Sequence, residues 1–145
     1  MRRDPSLIPL SHQHQHGLAL CVMTGRSLDA DDTDANVTRL ARKVVDAWEV
    51  ELANHFQVEE QVLFPACASP LVEELLAQHR QIETLVKDLR ERPAASTLCE
   101  FTALLQRHIR LEENELFEQV QKDLPRDTLD LLGREIKEKT IKVCL

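Results

Sequence analysis

The chain has 145 residues, a formal net charge of −7, three glycines and no tyrosine. This length suits a single domain over residues 1–145, and a composition rich in helix-forming residues argues against a multi-stranded sheet and predicts an all-α protein. Basic residues are interleaved with acidic ones, which argues against a nucleic-acid partner, and the lack of a long apolar window predicts a soluble, cytoplasmic protein with no membrane contact.

Four long helices are predicted from apolar residues that recur at three- and four-residue spacing. They cover residues 10–28, 34–65, 70–92 and 96–122. A cap at Thr33 or Asp34 begins the second helix, and Ser69 followed by Pro70 begins the third. The short connections predict an up-and-down antiparallel four-helix bundle.

A shorter C-terminal extra helix is predicted over residues 127–143. Its apolar residues are Leu129, Leu132, Ile136 and Ile141. Because these form one narrow stripe, we expect the helix to lie across the bundle without entering its centre. The amphipathic stripe also leaves room for a homodimer.

An internal repeat relates the second and fourth helices. Residues 55–65 are HFQVEEQVLFP and residues 108–118 are HIRLEENELFE, with His, Glu, Glu, Leu and Phe at the same five offsets. Two helical hairpins related by an approximate two-fold axis would explain this pattern. A site on that axis would draw matching side chains from both halves.

Three histidines are each followed by a glutamate four residues later. The pairs are His55 with Glu59, His79 with Glu83, and His108 with Glu112. Four residues in a helix return a side chain to nearly the same face, so each pair can point to one place. The pairs also lie on the apolar stripes and should face the core, although such pairs also occur on solvated helix surfaces.

Buried imidazoles and carboxylates must be paired or bind a cation, because an unpaired buried group costs several kcal/mol. A pair of metal ions would satisfy all of these groups together. Imidazole and carboxylate ligands without thiolates favour iron or manganese over a structural zinc site, and the nitrogen-rich set makes manganese less favourable than iron.

Four segments carry a family resemblance. HFQVEEQVLFP, AQHRQIE, HIRLEENELF and the opening LSHQHQHGLAL resemble the hemerythrin-like, or HHE cation-binding, domain up to about Val120. The resemblance implies a bundle with a carboxylate-bridged centre of two iron ions that binds dioxygen or reacts with oxygen, peroxide or nitric oxide species. It also implies four terminal ligands and two bridging ligands. These are His14, His55, His79 and His108, with Glu59 and Glu112 as bridges.

Two ligand positions stay open at this level. The first helix carries His12, His14 and His16; we favour His14, with His16 next, because the apolar face continues inward from His14. Oxygen-carrying hemerythrins have a histidine where this chain has Glu83. Glu83 is either a metal ligand, a partner that orients a histidine, or a surface residue.

Three functions are compatible with these residues. A di-iron site could bind or sense dioxygen, or it could decompose peroxide in a catalase-like reaction that defends against oxidative stress. As an alternative, the chain could be an iron-binding regulatory or structural helical module without catalysis. We expect Glu60 and Glu113, one residue after the bridging glutamates, to lie on the solvated face or to act as helix partners, about 100° from the site.

Overall fold

A computed structural model describes residues 2–142, and all of its long elements are helices. They are α1 (Ile8–Ala30), α2 (residues 34–66), α3 (Leu71–Glu91), α4 (residues 95–123) and α5 (Arg126–Lys139), preceded by a 3₁₀ turn at Pro5–Leu7. The predicted all-α bundle with an extra C-terminal helix is confirmed. The C-terminal helix is predicted to run to residue 143, but it ends at Lys139, and residues 140–142 are not helical. Val143 itself lies outside the described residues.

Helices α2 and α4 each contain wide π-helical turns. In α2 these are Trp48–Leu52 and Glu59–Leu63, and in α4 the turn is Glu112–Leu116. The turns at Glu59 and Glu112 begin at equivalent positions of the internal repeat. Such turns are rare and are often found at functional sites, so their positions indicate that these two glutamates belong to a functional site.

Polar caps begin the two helices for which the sequence predicts them. Thr33 Oγ1 accepts a hydrogen bond from the Asn36 amide (3.3 Å), and Ser69 Oγ accepts one from the Leu71 amide (3.2 Å). These bonds satisfy backbone N–H groups that have no partner within the helix. Short connections follow each helix, which keeps the four long helices antiparallel.

The apolar core consists of two clusters. One surrounds Leu40, Ile82 and Phe101, and the other surrounds Leu63, Leu116 and Phe117. Buried polar residues lie between them along every long helix. No helix of residues 2–142 is both long and apolar enough to cross a bilayer.

The two ends of the described chain pack against each other. Asp4 accepts hydrogen bonds from Arg126 at 2.6 and 3.0 Å, and Leu7 shares an apolar cluster with Leu129 and Ile136. We call residues 2–7 and 126–142 the terminal cap. The cap lies on the bundle, as expected for the C-terminal helix, and its Ile141 is exposed.

Gly133 lies at the closest approach within the cap. A Cβ atom at this position would be 2.9 Å from the Ser6 Cα atom, whereas a Cβ at Gly25 in α1 would meet no heavy atom within 4 Å. We expect Gly133→Ala to lower the free energy of unfolding by about 1–3 kcal/mol, because backbone atoms must shift. Gly25→Ala should raise it by about 0.5–1 kcal/mol through helix propensity. Urea unfolding of the metal-free variants measures both, and equal changes would contradict the close contact.

Candidate metal centre

Six buried side chains from the four long helices meet between the two apolar clusters. They are His14, His55, Glu59, His79, His108 and Glu112. Their ligand atoms form two groups within 4.8 Å: both glutamates with His14 and His55, and both glutamates with His79 and His108. The two groups share both carboxylates, which is the arrangement needed for two adjacent cations.

The distances within the centre follow the same division. The Nε2 atoms of His14 and His55 are 3.0 Å apart, and those of His79 and His108 are 3.2 Å apart. Glu59 Oε1 lies 3.3 Å from His55 Nε2 and 3.1 Å from His79 Nε2. Glu112 Oε1 contacts His108 Nε2 and lies 3.8 Å from His14 Nε2. Each carboxylate therefore reaches at least one imidazole of each pair.

Hydrogen bonds on the far side of each ring fix which nitrogen faces the centre. The Nδ1 atoms of His14 and His79 lie 2.7 and 2.8 Å from carboxylate oxygens of Glu113 and Glu60, respectively. Carboxylates only accept hydrogen bonds, so Nδ1 is the donor. In neutral rings each Nε2 then carries a lone pair that points into the centre.

The other two rings bind amide oxygens instead. His55 Nδ1 lies 2.8 Å from Gln13 Oε1, and His108 Nδ1 lies 2.7 Å from Gln78 Oε1. Gln13 donates its amide nitrogen to the Ile141 carbonyl, which orients its oxygen toward His55. All four imidazoles thus have an outer partner, as is usual for histidines that bind metals.

Three buried carboxylate oxygens have no hydrogen-bond partner in the described chain. They are Glu59 Oε2, Glu112 Oε1 and Glu112 Oε2. Both side chains are fully buried, and among residues 2–142 they form ion-pair contacts with histidines only. Facing lone pairs and unpartnered carboxylates are unfavourable together, and a bound cation would satisfy both. The donor set therefore fits metal ions.

Burial favours the neutral form of two imidazoles, those of His55 and His108. It lowers the pKa of His55, and it lowers the pKa of His108 to about 4, against the opposing effect of Glu59. Metal ions bind the neutral form of histidine. At neutral pH these two side chains need not release a proton before a metal ion binds.

The lowered pKa of His108 predicts how the metal-free protein responds to acid. Below an ordinary pKa near 6.5 the unfolded chain binds a proton at this residue, whereas the folded chain does so only near pH 4. The free energy of unfolding should therefore fall as pH decreases from about 6.5 to about 4. Urea titrations at several pH values measure this, and His108→Gln should reduce the slope. An unchanged slope in that variant would contradict the neutral buried imidazole.

Aromatic rings enclose the imidazoles. Phe56 stacks on His79 with ring centres 3.8 Å apart, Phe64 lies 5.5 Å from the same ring, and Phe117 lies 5.5 Å from His14. These rings are buried. They exclude water from the centre and strengthen the electrostatic interactions within it.

Of the seven side chains that the sequence predicts as metal ligands, Glu83 is the one outside this cluster. Its carboxylate is more than a third exposed and lies 3.4 Å from Arg80 on the outer side of α3. On the first helix, His14 lies in the centre. His16 instead contacts Glu51 at 2.9 Å, and His12 is exposed.

Of the two alternatives for Glu60 and Glu113, the solvated face does not hold, and each has a partner on a neighbouring helix. Both are only partly exposed, and each binds a histidine of the centre. A rotation of 100° from the centre points these long side chains toward the neighbouring helix. Burial raises the pKa of Glu113, but its hydrogen bonds with His14 and Ser11 and the charge of Arg3 lower it overall.

Gln13 and Gln78 are the outer partners that the sequence analysis missed. Each directly precedes a histidine of the centre, on α1 and α3 respectively. A comparison of these two helices, in the way that the repeat relates α2 and α4, would have identified the shared Gln-His pair. The approximate two-fold relation therefore extends to all four helices.

Comparisons with known proteins give one match. A family model described as the hemerythrin HHE cation binding domain matches residues 9–120. Curated proteins and solved structures give no match. The matched range contains all six side chains of the centre and excludes the terminal cap.

Proposed function

The chain belongs to the hemerythrin family of HHE cation-binding domains, and from this premise we propose that it is a non-haem di-iron protein. It binds or reacts with dioxygen, peroxide or nitric oxide species. The observation that carries the proposal is the buried set of four imidazoles and two carboxylates, with three carboxylate oxygens lacking a partner.

Each residue has a defined role in this proposal. His14 and His55 would hold one ion, His79 and His108 would hold the other, and Glu59 and Glu112 belong to both groups of side chains. Imidazole and carboxylate donors suit iron, and manganese is the less favourable choice because the set is nitrogen-rich. When bound, iron supplies redox chemistry and a position for a small oxygen or nitrogen species.

The protein itself orients the ligands and limits access. The Nδ1 hydrogen bonds hold each ring in one tautomer with Nε2 toward the centre. The Phe56, Phe64 and Phe117 rings exclude bulk water. Each ion would have two imidazoles and two shared carboxylates within reach, which leaves room for a small ligand.

The second candidate is an iron-binding regulatory or structural module without catalysis. This candidate is supported by the position of the six side chains, because they come from all four long helices and are all buried. An ion at this place would join the helices even if it never reacted. The two functions differ in reactivity and not in metal content.

Anaerobic reconstitution with ferrous iron, followed by oxygen, azide or hydrogen peroxide, tests the proposal. We expect visible absorption changes with at least one of them. A stable oxygen adduct would select binding or sensing, and rapid peroxide consumption would select catalysis. Two bound irons that react with none of the three would contradict the reactive function and favour the structural module. His108→Ala serves as a control that should remove the spectral changes.

A further inference from the structure

The side chains that bind the Nδ1 atoms of the four histidines, here called the outer partners, differ between the two histidine pairs in the contacts that they make in turn. The outer partners are Glu113, Gln13, Glu60 and Gln78. On the His14 side, Glu113 accepts a hydrogen bond from Ser11 at 2.8 Å, and Arg3 donates to the Glu113 carbonyl at 2.8 Å. The Arg3 guanidinium also lies 5.2 Å from the centre of the Phe117 ring, which stacks on His14. The N-terminal part of the terminal cap therefore supports this imidazole in two ways.

The C-terminal part of the cap supports His55 in a similar way. Gln13, which binds His55, donates to the Ile141 carbonyl at 3.2 Å. Asn54, the residue before His55, donates to the Lys139 carbonyl at 2.9 Å and accepts from the Ile141 amide at 2.9 Å. Both imidazoles of this pair are thus linked to the cap through one intermediate side chain.

The second histidine pair has no such link in the described part of the chain. There, Glu60 binds His79 and Arg80, and Gln78 binds His108. Arg80 is on α3 itself, and its side chain is more than half exposed. All of these partners belong to the bundle, within the range that matches the family.

The two parts of the cap form one unit. Arg126 binds Asp4 with two hydrogen bonds, and Gly133 approaches the Ser6 backbone closely. The two parts of the cap are therefore held together by polar and close backbone contacts. The cap contacts the outer partners of His14 and His55 as a single body.

We propose that docking of the terminal cap is coupled to metal binding at the His14 and His55 position, and not at the His79 and His108 position. Arg3 and Gln13 are positioning residues in this coupling. A cation at Nε2 polarises the ring and strengthens its Nδ1 hydrogen bond to the outer partner, which in turn holds the cap. By linkage, a docked cap raises the metal affinity by the same factor. The inference rests on the proposed two-metal centre.

Hydrogen exchange of the cap amides, with and without ferrous iron under anaerobic conditions, tests the coupling. The wild-type chain and the variants His55→Ala and His108→Ala are compared, because these two histidines are equivalent in the repeat. We expect iron to slow exchange of the cap about tenfold in the wild type and in His108→Ala, but not in His55→Ala. Equal responses of the two variants, or no response of the wild type, would overturn the coupling.

Variants remote from the ligands test the reverse direction. We expect Arg3→Ala and Gly133→Ala to weaken the binding of one of two ions about tenfold in an anaerobic iron titration. Their matched controls are Arg90→Ala, whose side chain pairs with the exposed Glu49 away from the centre, and Gly25→Ala, and both should leave the binding of two ions unchanged. Equal effects of Arg3→Ala and Arg90→Ala would overturn the inference even if the histidine variants fail to fold.

The metal count separates failure of the coupling from failure of the proposed function. A wild-type chain that binds two ions with no change in cap exchange contradicts the coupling alone. A wild-type chain that binds fewer than two ions contradicts the di-iron function. If iron then also leaves the hydrogen exchange of the cap unchanged, the coupling is contradicted as well.

Discussion

Iron loading is expected to raise the free energy of unfolding by about 4 kcal/mol when free iron exceeds its dissociation constant about a thousandfold. The reason lies in the metal-free centre, where buried carboxylate oxygens of Glu59 and Glu112 have no partner and imidazole nitrogens face each other. A cation removes this unfavourable arrangement and joins four helices. Because the unfolded chain does not form the site, the free energy of metal binding adds to the free energy of unfolding.

Thermal unfolding of chelator-treated and iron-reloaded protein under anaerobic conditions measures this effect. An increase in the midpoint of roughly 10 °C is expected for a chain of this size. Magnesium serves as the control, since it prefers oxygen ligands and should give a much smaller change. The same midpoint with and without iron would contradict a cation site in the core.

The substitution Glu112→Gln is expected to have opposite effects on stability and on metal binding. In the metal-free protein it removes a buried charge whose two oxygens have no hydrogen-bond partner. The free energy of unfolding should therefore rise by about 1–3 kcal/mol, as when buried ionic groups are replaced by neutral ones. A neutral amide is a poor bridge between cations, so at least one ion should be lost.

Glu115→Gln is the matched control for this substitution. Glu115 lies in the same π-helical turn of α4 but is exposed. Its replacement should change neither stability nor metal content measurably. Urea unfolding and metal analysis of both variants test the prediction. A metal-free Glu112→Gln protein that is clearly less stable than the wild type would contradict it.

Most of the fold could be predicted because the helix caps and the apolar spacing in the sequence match the helix ends and the buried faces of the structure. Thr33 and Ser69 begin α2 and α3 as expected, and the apolar spacing places the long helices within a few residues of their observed ends. The exposed side of α1 was less predictable. Val22 is apolar but exposed, and a helix with apolar residues on several faces gives no clear direction for its buried side.

The inner residues of the candidate centre could be predicted from the repeat. His55 with Glu59 and His108 with Glu112 stand at the same offsets, and a helix brings each pair to one face. The same spacing at His79 and Glu83 does not distinguish the core from the surface. In the structure Glu83 lies on the outer side of α3, and its carboxylate is 3.4 Å from the Arg80 guanidinium.

The outer partners could not be derived from spacing within one helix. Glu60, Glu113, Gln13 and Gln78 each bind a histidine on a neighbouring helix. Such contacts depend on how helices are rotated about their axes, which is fixed by packing of the whole bundle. The π-helical turns at Glu59 and Glu112 likewise have no signal in local propensity.

The most direct test of the di-iron centre is an iron count after anaerobic reconstitution of the wild type, His55→Ala and His108→Ala. We expect two irons per wild-type chain and fewer in each variant, because the histidines belong to different pairs of one centre. Fewer than two irons in the wild type, with unchanged metal content in both variants, would contradict a di-iron centre at these residues.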